Sequence, residues 1–230
     1  VRSDYRPDMQ VLVIAHRSIA HELGYLEPWL ATATITRHAR EGGPPPANLL
    51  KTADLMLVLG SPSSVAEGHL DPANAAEIAT VRDWVTQGRP YLGLCFGAQV
   101  LACALGGTVT RMPRTYRAYA ELGLTEQAPP SLQGPWVIWH EDAITAPAQS
   151  TVLARLPHAD LAFRAGRAWG LQPHVEVSSA ILERMAMALQ AKTEETQPLI
   201  ESLRDSERDS NPPGARLAAL LEQFSRTALA

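Results

Sequence analysis

The chain has 230 residues, a formal net charge of −4, and 46% hydrophobic and 19% charged residues. Its length is sufficient for one α/β domain with a substantial core. The mild negative charge argues against a nucleic-acid or membrane-surface partner, and no apolar run approaches the roughly 18 residues of a membrane span. The two cysteines, Cys95 and Cys103, are roughly 12 Å apart along one predicted helix, so no disulfide is expected and a reduced, cytoplasmic compartment fits.

Strand and helix signals alternate along the first hundred residues. Continuous apolar runs at 10–15 and 54–59 predict strands that are covered on both faces. The other elements predicted in this half are a short helix at 25–30, a strand at 33–37, a loop at 42–46, an amphipathic helix at 73–87, a strand at 91–94 and a helix from 97 to about 106. This alternation is typical of a mostly parallel, doubly wound sheet with helices on both faces.

From residue 108 to residue 177 the signals change to shorter strands separated by Pro and Gly turns. They predict an antiparallel extension of the same sheet, with strands at 108–111, 117–124, 136–139, 162–164 and 168–172. Three segments follow: a helix at 178–190, a charged stretch at 194–213 interpreted as a loosely held helix or linker, and a helix at 215–229 with an apolar face of Leu217, Leu220, Leu221 and Phe224. We therefore expect a leader at 1–9, one domain at 10–190 and a helical extension at 191–230 that packs on that domain.

The segment 90–99 is a candidate nucleophile elbow. A buried strand leads to Cys95, which has Gly93 and Gly97 two residues to either side, and a helix follows. A nucleophile at a sharp strand-to-helix turn has a strained backbone, and residues larger than glycine would collide there. The helix directs its N-terminus at the sulfur, which favours the thiolate. Cys95 is therefore predicted to be a covalent nucleophile, although most isolated cysteines are core residues.

A thiolate nucleophile requires a base, and the base requires an acid that orients it. His174 follows the strand predicted at 168–172, where active-site residues occur in α/β sheets. Glu176, two residues further on, can accept an N–H from the imidazole and select its tautomer. The order Cys95, His174, Glu176 predicts a triad, whereas His174 alone would more often be a structural histidine.

A tetrahedral intermediate also requires hydrogen-bond donors for its oxyanion. The elbow itself supplies the backbone N–H of Phe96. The second donor is expected in the loop after the strand at 54–59, where Gly60 permits a tight turn and the N–H of Ser61 is available. Pro62 has no N–H and is excluded.

In order and spacing, these three blocks resemble the class I, triad-type glutamine amidotransferases. That family carries G-x-C-x-G-x-Q at the nucleophile, G-G-P at the oxyanion hole and H-P-E near the end of the domain. The corresponding residues are Gly93-x-Cys95-x-Gly97-x-Gln99, Gly60-Ser61-Pro62 and His174-Val175-Glu176. Further blocks are most similar to the stand-alone GMP-synthase-like subgroup, among them Trp139-His140-x-Asp142 and Gly170-Leu171-Gln172.

The resemblance implies a flavodoxin-like core and the hydrolysis of L-glutamine to glutamate and ammonia through a γ-glutamyl thioester on Cys95. The substrate-binding residues that it implies are Gly60, Gln99, His140 and Asp142. The block with His140 and Asp142 is equally consistent with the end of a strand. No cofactor or metal ion is implied. Because the sequence contains no ATP-binding motif, the ammonia would pass to a separate ATP-dependent synthetase.

Two residues depart from the family pattern. Ser61 replaces the second glycine of G-G-P, and Val175 replaces the proline of H-P-E. Either change could lower the activity or make it depend on a partner. Two alternatives stay open: a cysteine hydrolase or transferase that acts on γ-glutamyl compounds without a partner, against which Glu176 argues, and a degenerate amidotransferase-fold binding module.

Overall fold

Ten strands form two sheets in the computed structural model, which describes residues 8–18, 22–68 and 72–229. The strands are β1 (Gln10–Ala15), β2 (Thr34–Ala39), β3 (Leu55–Val58), β4 (Tyr91–Leu94), β5 (Thr108–Glu121), β6 (Gly123–Leu124), β7 (Pro135–Thr145), β8 (Thr151–Leu156), β9 (Ala159–Ala165) and β10 (Ala168–Leu171). Eight of them form the main sheet in the order β2-β1-β3-β4-β10-β9-β8-β6. The pairs from β2 to β10 are parallel, and those from β10 to β6 are antiparallel.

Helices cover both faces of this sheet. They are α1 (Ala47–Thr52), α2 (Val65–Gly68), α3 (Pro72–Thr86), α4 (Phe96–Ala104), α5 (Ser179–Ala188), α6 (Thr193–Ser206) and α7 (Pro213–Phe224). Successive residues of β1 alternate between the two sides: Val11 and Val13 pack into a core with α7, whereas Leu12 and Ile14 pack into a second core with α3 and α4. The predicted doubly wound α/β fold is confirmed.

One part of the predicted extension is wrong. The strands predicted at 108–111, 117–124 and 136–139 do not join the main sheet, apart from the two-residue β6. They form a separate ribbon of β5 and β7, with an irregularity between Arg111 and Tyr116. Strand β7 packs between the main core, at Trp136, and helices α5 and α6, at Val137, instead of pairing within the main sheet.

One strand is not predicted from the sequence, and two smaller predictions differ from the structure. Strand β8 is missed because its apolar residues do not alternate with polar ones. The helix predicted at 25–30 is one 3-10 turn at Gly24–Leu26. The segment predicted to be loosely held contains α6, which buries Leu199, Ile200 and Leu203 against α5.

The predicted leader at 1–9 lies largely outside the described residues. Met9, within the described part, is 4% exposed and its carbonyl accepts the backbone N–H of Thr34 at the start of β2. The apolar face predicted on the last helix is confirmed, because its four members Leu217, Leu220, Leu221 and Phe224 are all buried.

The main sheet brings three loops to one edge. Strands β3, β4 and β10 are neighbours and run parallel, so their carboxyl ends meet at that edge. The residues that follow these strands include Ser61, Cys95 and His174. In open α/β sheets, ligands bind beyond the carboxyl ends of the strands.

Candidate active site

Cys95 lies at a strained turn between β4 and α4. Its backbone has φ 49° and ψ −105°, in a region that residues with a Cβ rarely adopt. A Cβ on Gly93 would lie 2.5 Å from the carbonyl carbon of Gly97, and a Cβ on Gly97 would lie 2.2 Å from the carbonyl oxygen of Val58. Glycine is thus sterically required on both sides of the cysteine. The turn is fastened to β10 by the Cys95 N–H, which donates to Leu171 at 2.8 Å.

The structure brings His174 and Glu176 to this turn. His174 lines the same cavity as Cys95, and its Nδ1 lies 2.9 Å from Glu176 Oε1. Burial disfavours the imidazolium, but the negative charges of Cys95 and Glu176 outweigh it, so the pKa of His174 is raised well above its ordinary 6.5. The His174 N–H donates to Val137 at 2.7 Å, which fastens the loop to β7. The structure thus brings Cys95, His174 and Glu176 together beyond the carboxyl ends of β4 and β10.

Hydrogen bonds connect the backbone of Glu176 to the N-terminal part of the chain, and that part in turn to the C-terminal helices. Its backbone carbonyl accepts the Tyr25 N–H at 2.8 Å. The Tyr25 hydroxyl donates to Glu207, just beyond α6, at 2.7 Å. The Glu207 carboxylate also accepts the N–H and the hydroxyl of Ser179, at the start of α5, both at 2.7 Å.

Val175, which replaces the family's proline, is 1% exposed and packs in the main core. Burial of this side chain anchors the loop between His174 and Glu176. Here an apolar contact fixes the segment where the family pattern has a ring that restricts φ.

The loop after β3 approaches the imidazole closely. A Cβ on Gly60 would lie 2.9 Å from His174 Cε1, so an added side chain there would displace the imidazole ring. Ser61 follows it and lines the cavity beside Cys95. Phe96 is the first residue of α4, where the helix offers no acceptor for its N–H. Both predicted oxyanion donors therefore belong to segments that border Cys95.

Asp142 accepts three hydrogen bonds from this loop. Its Oδ2 accepts from the Ser64 hydroxyl at 2.7 Å, from the Val65 N–H at 2.9 Å and from the Ala66 N–H at 3.2 Å. Its other oxygen faces Arg111 at 3.5 Å. Asp142 lines the cavity, but its observed contacts are those of a cap for the loop and α2.

Gln99 and Gln172 form a buried amide pair beside Cys95. Gln99 Nε2 donates to Gln172 Oε1 at 3.3 Å, and Gln172 Nε2 lies 3.5 Å from the sulfur of Cys95. Gln172 is fully buried. The sequence motif that contains Gln172 did not by itself assign this residue to the site; its position directly after β10, two residues before His174, was the available signal.

His140 belongs to an aromatic cluster at the cavity wall. Its Nδ1 donates to the Asp142 carbonyl at 2.8 Å, which leaves Nε2 to accept from His158 at 3.4 Å. The rings of His140 and His158 are stacked 5.4 Å apart, with Tyr116 beside them. Burial, reinforced by the nearby His158 and His174, lowers the pKa of His140 to about 4, so this imidazole is neutral at pH 7.

The cavity at the site has a volume of about 280 Å³. Besides the predicted residues, its lining includes Arg111, Arg117, Trp139, Glu141, Met185 and Leu189. Apart from Trp139, which belongs to the block with His140 and Asp142, sequence reasoning missed these residues. They come from the ribbon and from the C-terminal end of α5, whose position over the sheet could not be predicted. A larger open groove of about 490 Å³ lies beside Gly134, Asp209 and Arg216, and its lining shares no residue with the site.

Within residues 8–18, 22–68 and 72–229, no group of three or more His, Cys, Asp or Glu side chains is arranged to hold a metal ion. Among the helices in the described part of the chain, none is both long and apolar enough to span a bilayer.

Comparison with known proteins identifies relatives of this chain. A GMP synthase (glutamine-hydrolyzing) from Thermus thermophilus is 40% identical over 102 residues, 40% of this chain and 20% of that protein. One from Symbiobacterium thermophilum is 31% identical over 165 residues, 66% of this chain and 28% of that protein. The chain thus spans less than a third of the length of these curated relatives.

Solved structures share the fold. A glutamine amidotransferase from Thermotoga maritima matches with a TM-score of 0.79 and 23% identity, over 94% of this chain and 97% of that one. A glutamine amidotransferase from Methylobacillus flagellatus matches with a TM-score of 0.65 and 20% identity, over 95% and 92%. The sequence profile of the glutamine amidotransferase class I family matches residues 15–183. Because that match covers well over half of the chain, the protein belongs to the class I glutamine amidotransferase family.

Proposed function

We propose that this chain hydrolyses the side-chain amide of L-glutamine to glutamate and ammonia, with Cys95, His174 and Glu176 as a catalytic triad. The observation that carries the proposal is the placement of Cys95 and His174 at the wall of one cavity, with Glu176 Oε1 2.9 Å from Nδ1 of the imidazole. Membership of the glutamine amidotransferase family supports the same reaction.

In the first half-reaction the Cys95 thiolate attacks the amide carbon, and the carbonyl oxygen becomes an oxyanion. The backbone N–H groups of Ser61 and Phe96 stabilise that charge. The His174 imidazolium transfers its proton to the amide nitrogen, the C–N bond breaks and ammonia leaves. A γ-glutamyl thioester remains on Cys95. The raised pKa of His174 supports this step, because it keeps the proton on the imidazole until the leaving group takes it.

In the second half-reaction neutral His174 takes a proton from water, and the resulting hydroxide attacks the thioester carbon. The C–S bond breaks, the Cys95 thiolate is restored beside the imidazolium, and the new carboxylic acid loses its proton to solvent. Glu176 accepts the Nδ1–H bond, which keeps Nε2 directed at the sulfur and the reacting atoms. Gln99, in the cavity wall, holds the amino-acid end of the substrate.

We further propose that the ammonia passes to an ATP-dependent synthetase carried outside these 230 residues. Two facts support this. The relatives are named as glutamine-hydrolysing synthases, and the matched region covers only 20% to 28% of their length. The sequence also lacks the glycine-rich ATP-binding motifs.

The test is covalent labelling by 6-diazo-5-oxo-norleucine, an electrophilic glutamine analogue, followed by intact mass measurement. We expect one adduct on the wild-type chain and none on Cys95→Ala. Release of glutamate from glutamine, followed on the same samples, reports complete turnover. An adduct on the Cys95→Ala variant would contradict the assignment of the nucleophile. Faster hydrolysis of γ-glutamyl peptides than of glutamine would favour a γ-glutamyl hydrolase instead.

A further inference from the structure

We infer that Arg40, directly after β2, is a positioning residue that holds both sides of the oxyanion hole in register. The inference rests on the proposed function, since it assigns a role within that reaction. Arg40 is 8% exposed and is not among the residues that line the cavity. Any effect that it has on the reaction is therefore transmitted through other residues.

The first contact of Arg40 is with Phe96. Its guanidinium carbon lies 3.6 Å from the centroid of the Phe96 ring, within the range of a cation–π interaction. Phe96 is 1% exposed, and its backbone N–H is one of the two proposed oxyanion donors. Arg40 thus restrains the first residue of α4 through its side chain.

The second contact reaches the loop that carries the opposite donor. Arg40 Nη2 donates to Asn74 Oδ1 at 2.7 Å, and Asn74 Nδ2 donates to the carbonyl of Ser64 at 3.2 Å. Ser64 belongs to the loop that carries Ser61. Since Asp142 binds the hydroxyl of the same Ser64 at 2.7 Å, the loop is fastened from both sides, and Arg40 supports one of them.

The third contact balances the charge. Arg40 Nε donates to Glu77 Oε2 at 3.2 Å, and Nη2 lies 3.0 Å from the same oxygen. In the described part of the chain, Arg40 Nη1 and Glu77 Oε1 have no hydrogen-bond partner. Burial raises the pKa of Glu77 despite the neighbouring guanidinium. A buried ion pair with unmet hydrogen bonds is a poor stabiliser of a fold, whereas its geometry places Arg40 against both Phe96 and Asn74.

The test compares turnover, affinity and intrinsic thiol reactivity. Arg40→Lys keeps a positive charge but loses the planar fork that binds Asn74 and Glu77 together. A double variant, Arg40→Met with Glu77→Leu, removes both charges, which keeps the protein foldable without an orphaned ion. We expect kcat for glutamine to fall roughly 10- to 100-fold in both, as one weakened oxyanion donor predicts. KM should stay within about threefold, and alkylation of Cys95 by iodoacetamide within about twofold, because neither depends on the oxyanion donors.

Arg89 offers a matched control. Its guanidinium carbon lies 3.3 Å from the ring centroid of Trp84, which belongs to α3 as Asn74 and Glu77 do. Its N–H groups donate to the carbonyls of Leu50 and Ala53. Arg89→Met therefore removes the same kind of contact away from the loop, and we expect lower thermal stability with unchanged kcat. Normal kcat in both Arg40 variants would overturn the inference, and so would an equal fall in kcat in Arg89→Met. In either case, glutamine turnover by the wild-type chain would leave the proposed function intact. A wild-type chain that releases no glutamate would overturn both.

Discussion

The two proposed oxyanion donors are held in place by different means. Phe96 lies within the elbow, where the five-residue segment 93–97 sets the geometry through two glycines that tolerate no Cβ. Ser61 belongs to a loop held by side chains from distant positions, including Asp142, which is 78 residues away from Ser64. The elbow is a local motif that can be recognised in any chain, whereas the loop depends on the complete fold being in place.

Removing the nucleophile should have the largest effect on turnover. Cys95→Ala is expected to lower glutamine turnover at least about 10⁴-fold, because the members of a triad act as a unit. Glu176→Ala should cost less, since Glu176 orients the imidazole without reacting. Glutamate release measured under single-turnover conditions checks both variants. Turnover by Cys95→Ala within tenfold of wild type would contradict the mechanism.

Adding one methyl group to a glycine in each segment distinguishes the elbow from the loop. Gly97→Ala would press a Cβ onto the backbone of Val58 at 2.2 Å, so we expect a stability loss of about 3 kcal/mol and little folded protein. A Cβ on Gly60 would be too close only to the His174 ring, at 2.9 Å, since the Cβ of Cys95 lies at an ordinary 3.8 Å. That ring can shift, so we expect roughly a 100-fold lower kcat with a smaller loss of stability.

Gly42→Ala is the control for both, because a Cβ there lies 3.8 Å from its nearest neighbour, the His38 ring. Thermal melts and kcat measured on the three variants test the contrast. Equal stability losses in Gly97→Ala and Gly60→Ala would remove the distinction between elbow and loop.

The loop can be loosened without touching the elbow. Asp142→Ala leaves three donors of residues 64–66 without their acceptor, and we expect about a tenfold to 50-fold fall in kcat and a loss of about 2 kcal/mol in stability. Asp160→Ala is the matched control. Asp160 accepts the Ala146 N–H at 2.9 Å, and neither residue lines the cavity. An undiminished kcat in Asp142→Ala would show that the loop is held without this carboxylate.

The two histidines of the cavity should give opposite pH effects on stability. The folded pKa of His140, about 4, lies below its ordinary 6.5. Its stability contribution is therefore present above pH 6.5 and is lost as the pH falls toward 4, with a loss on the order of 2 kcal/mol at pH 5. The pKa of His174 is raised instead, so its contribution is present below pH 6.5 and is lost as the pH rises through the folded value.

Denaturant melts from pH 4 to pH 8 check this pair, with His140→Gln and His174→Gln compared with wild type. We expect His140→Gln to flatten the acid limb of the stability curve and to change kcat by no more than a few-fold. His174→Gln should instead flatten the limb above pH 6.5. Parallel curves for His140→Gln and wild type below pH 6.5 would contradict a depressed pKa.

The same contrast explains what could be predicted from the sequence. The elbow, the strand that precedes it and the spacing of His174 and Glu176 each lie within ten residues, so local rules were sufficient. The alternating cores on the two faces of β1 also followed from a continuous apolar run. Parallel strands then bring their ends to one edge, which is a general property of such sheets.

Contacts between distant segments could not be predicted in this way. Nothing local indicates that Asp142 binds the residues after Ser64, or that Gln172 lies 3.5 Å from the sulfur. The strands of the ribbon were wrongly assigned to the main sheet, because the residue pattern of a strand does not indicate which strand it pairs with. In α6 the buried Leu199, Ile200 and Leu203 were overlooked, since the charges on the opposite face dominate the composition of that segment.

The last 47 residues lie beyond the matched family region, which ends at residue 183. They nevertheless complete the interior: the Phe224 ring stands edge-on to Trp29 at 5.9 Å and to Trp169 of β10 at 6.0 Å. A boundary drawn at the end of the family match would therefore cut through a shared aromatic cluster. A fragment of this amidotransferase that is to be fused to another protein must extend through Phe224, because β10, the strand that leads to His174, packs against that ring.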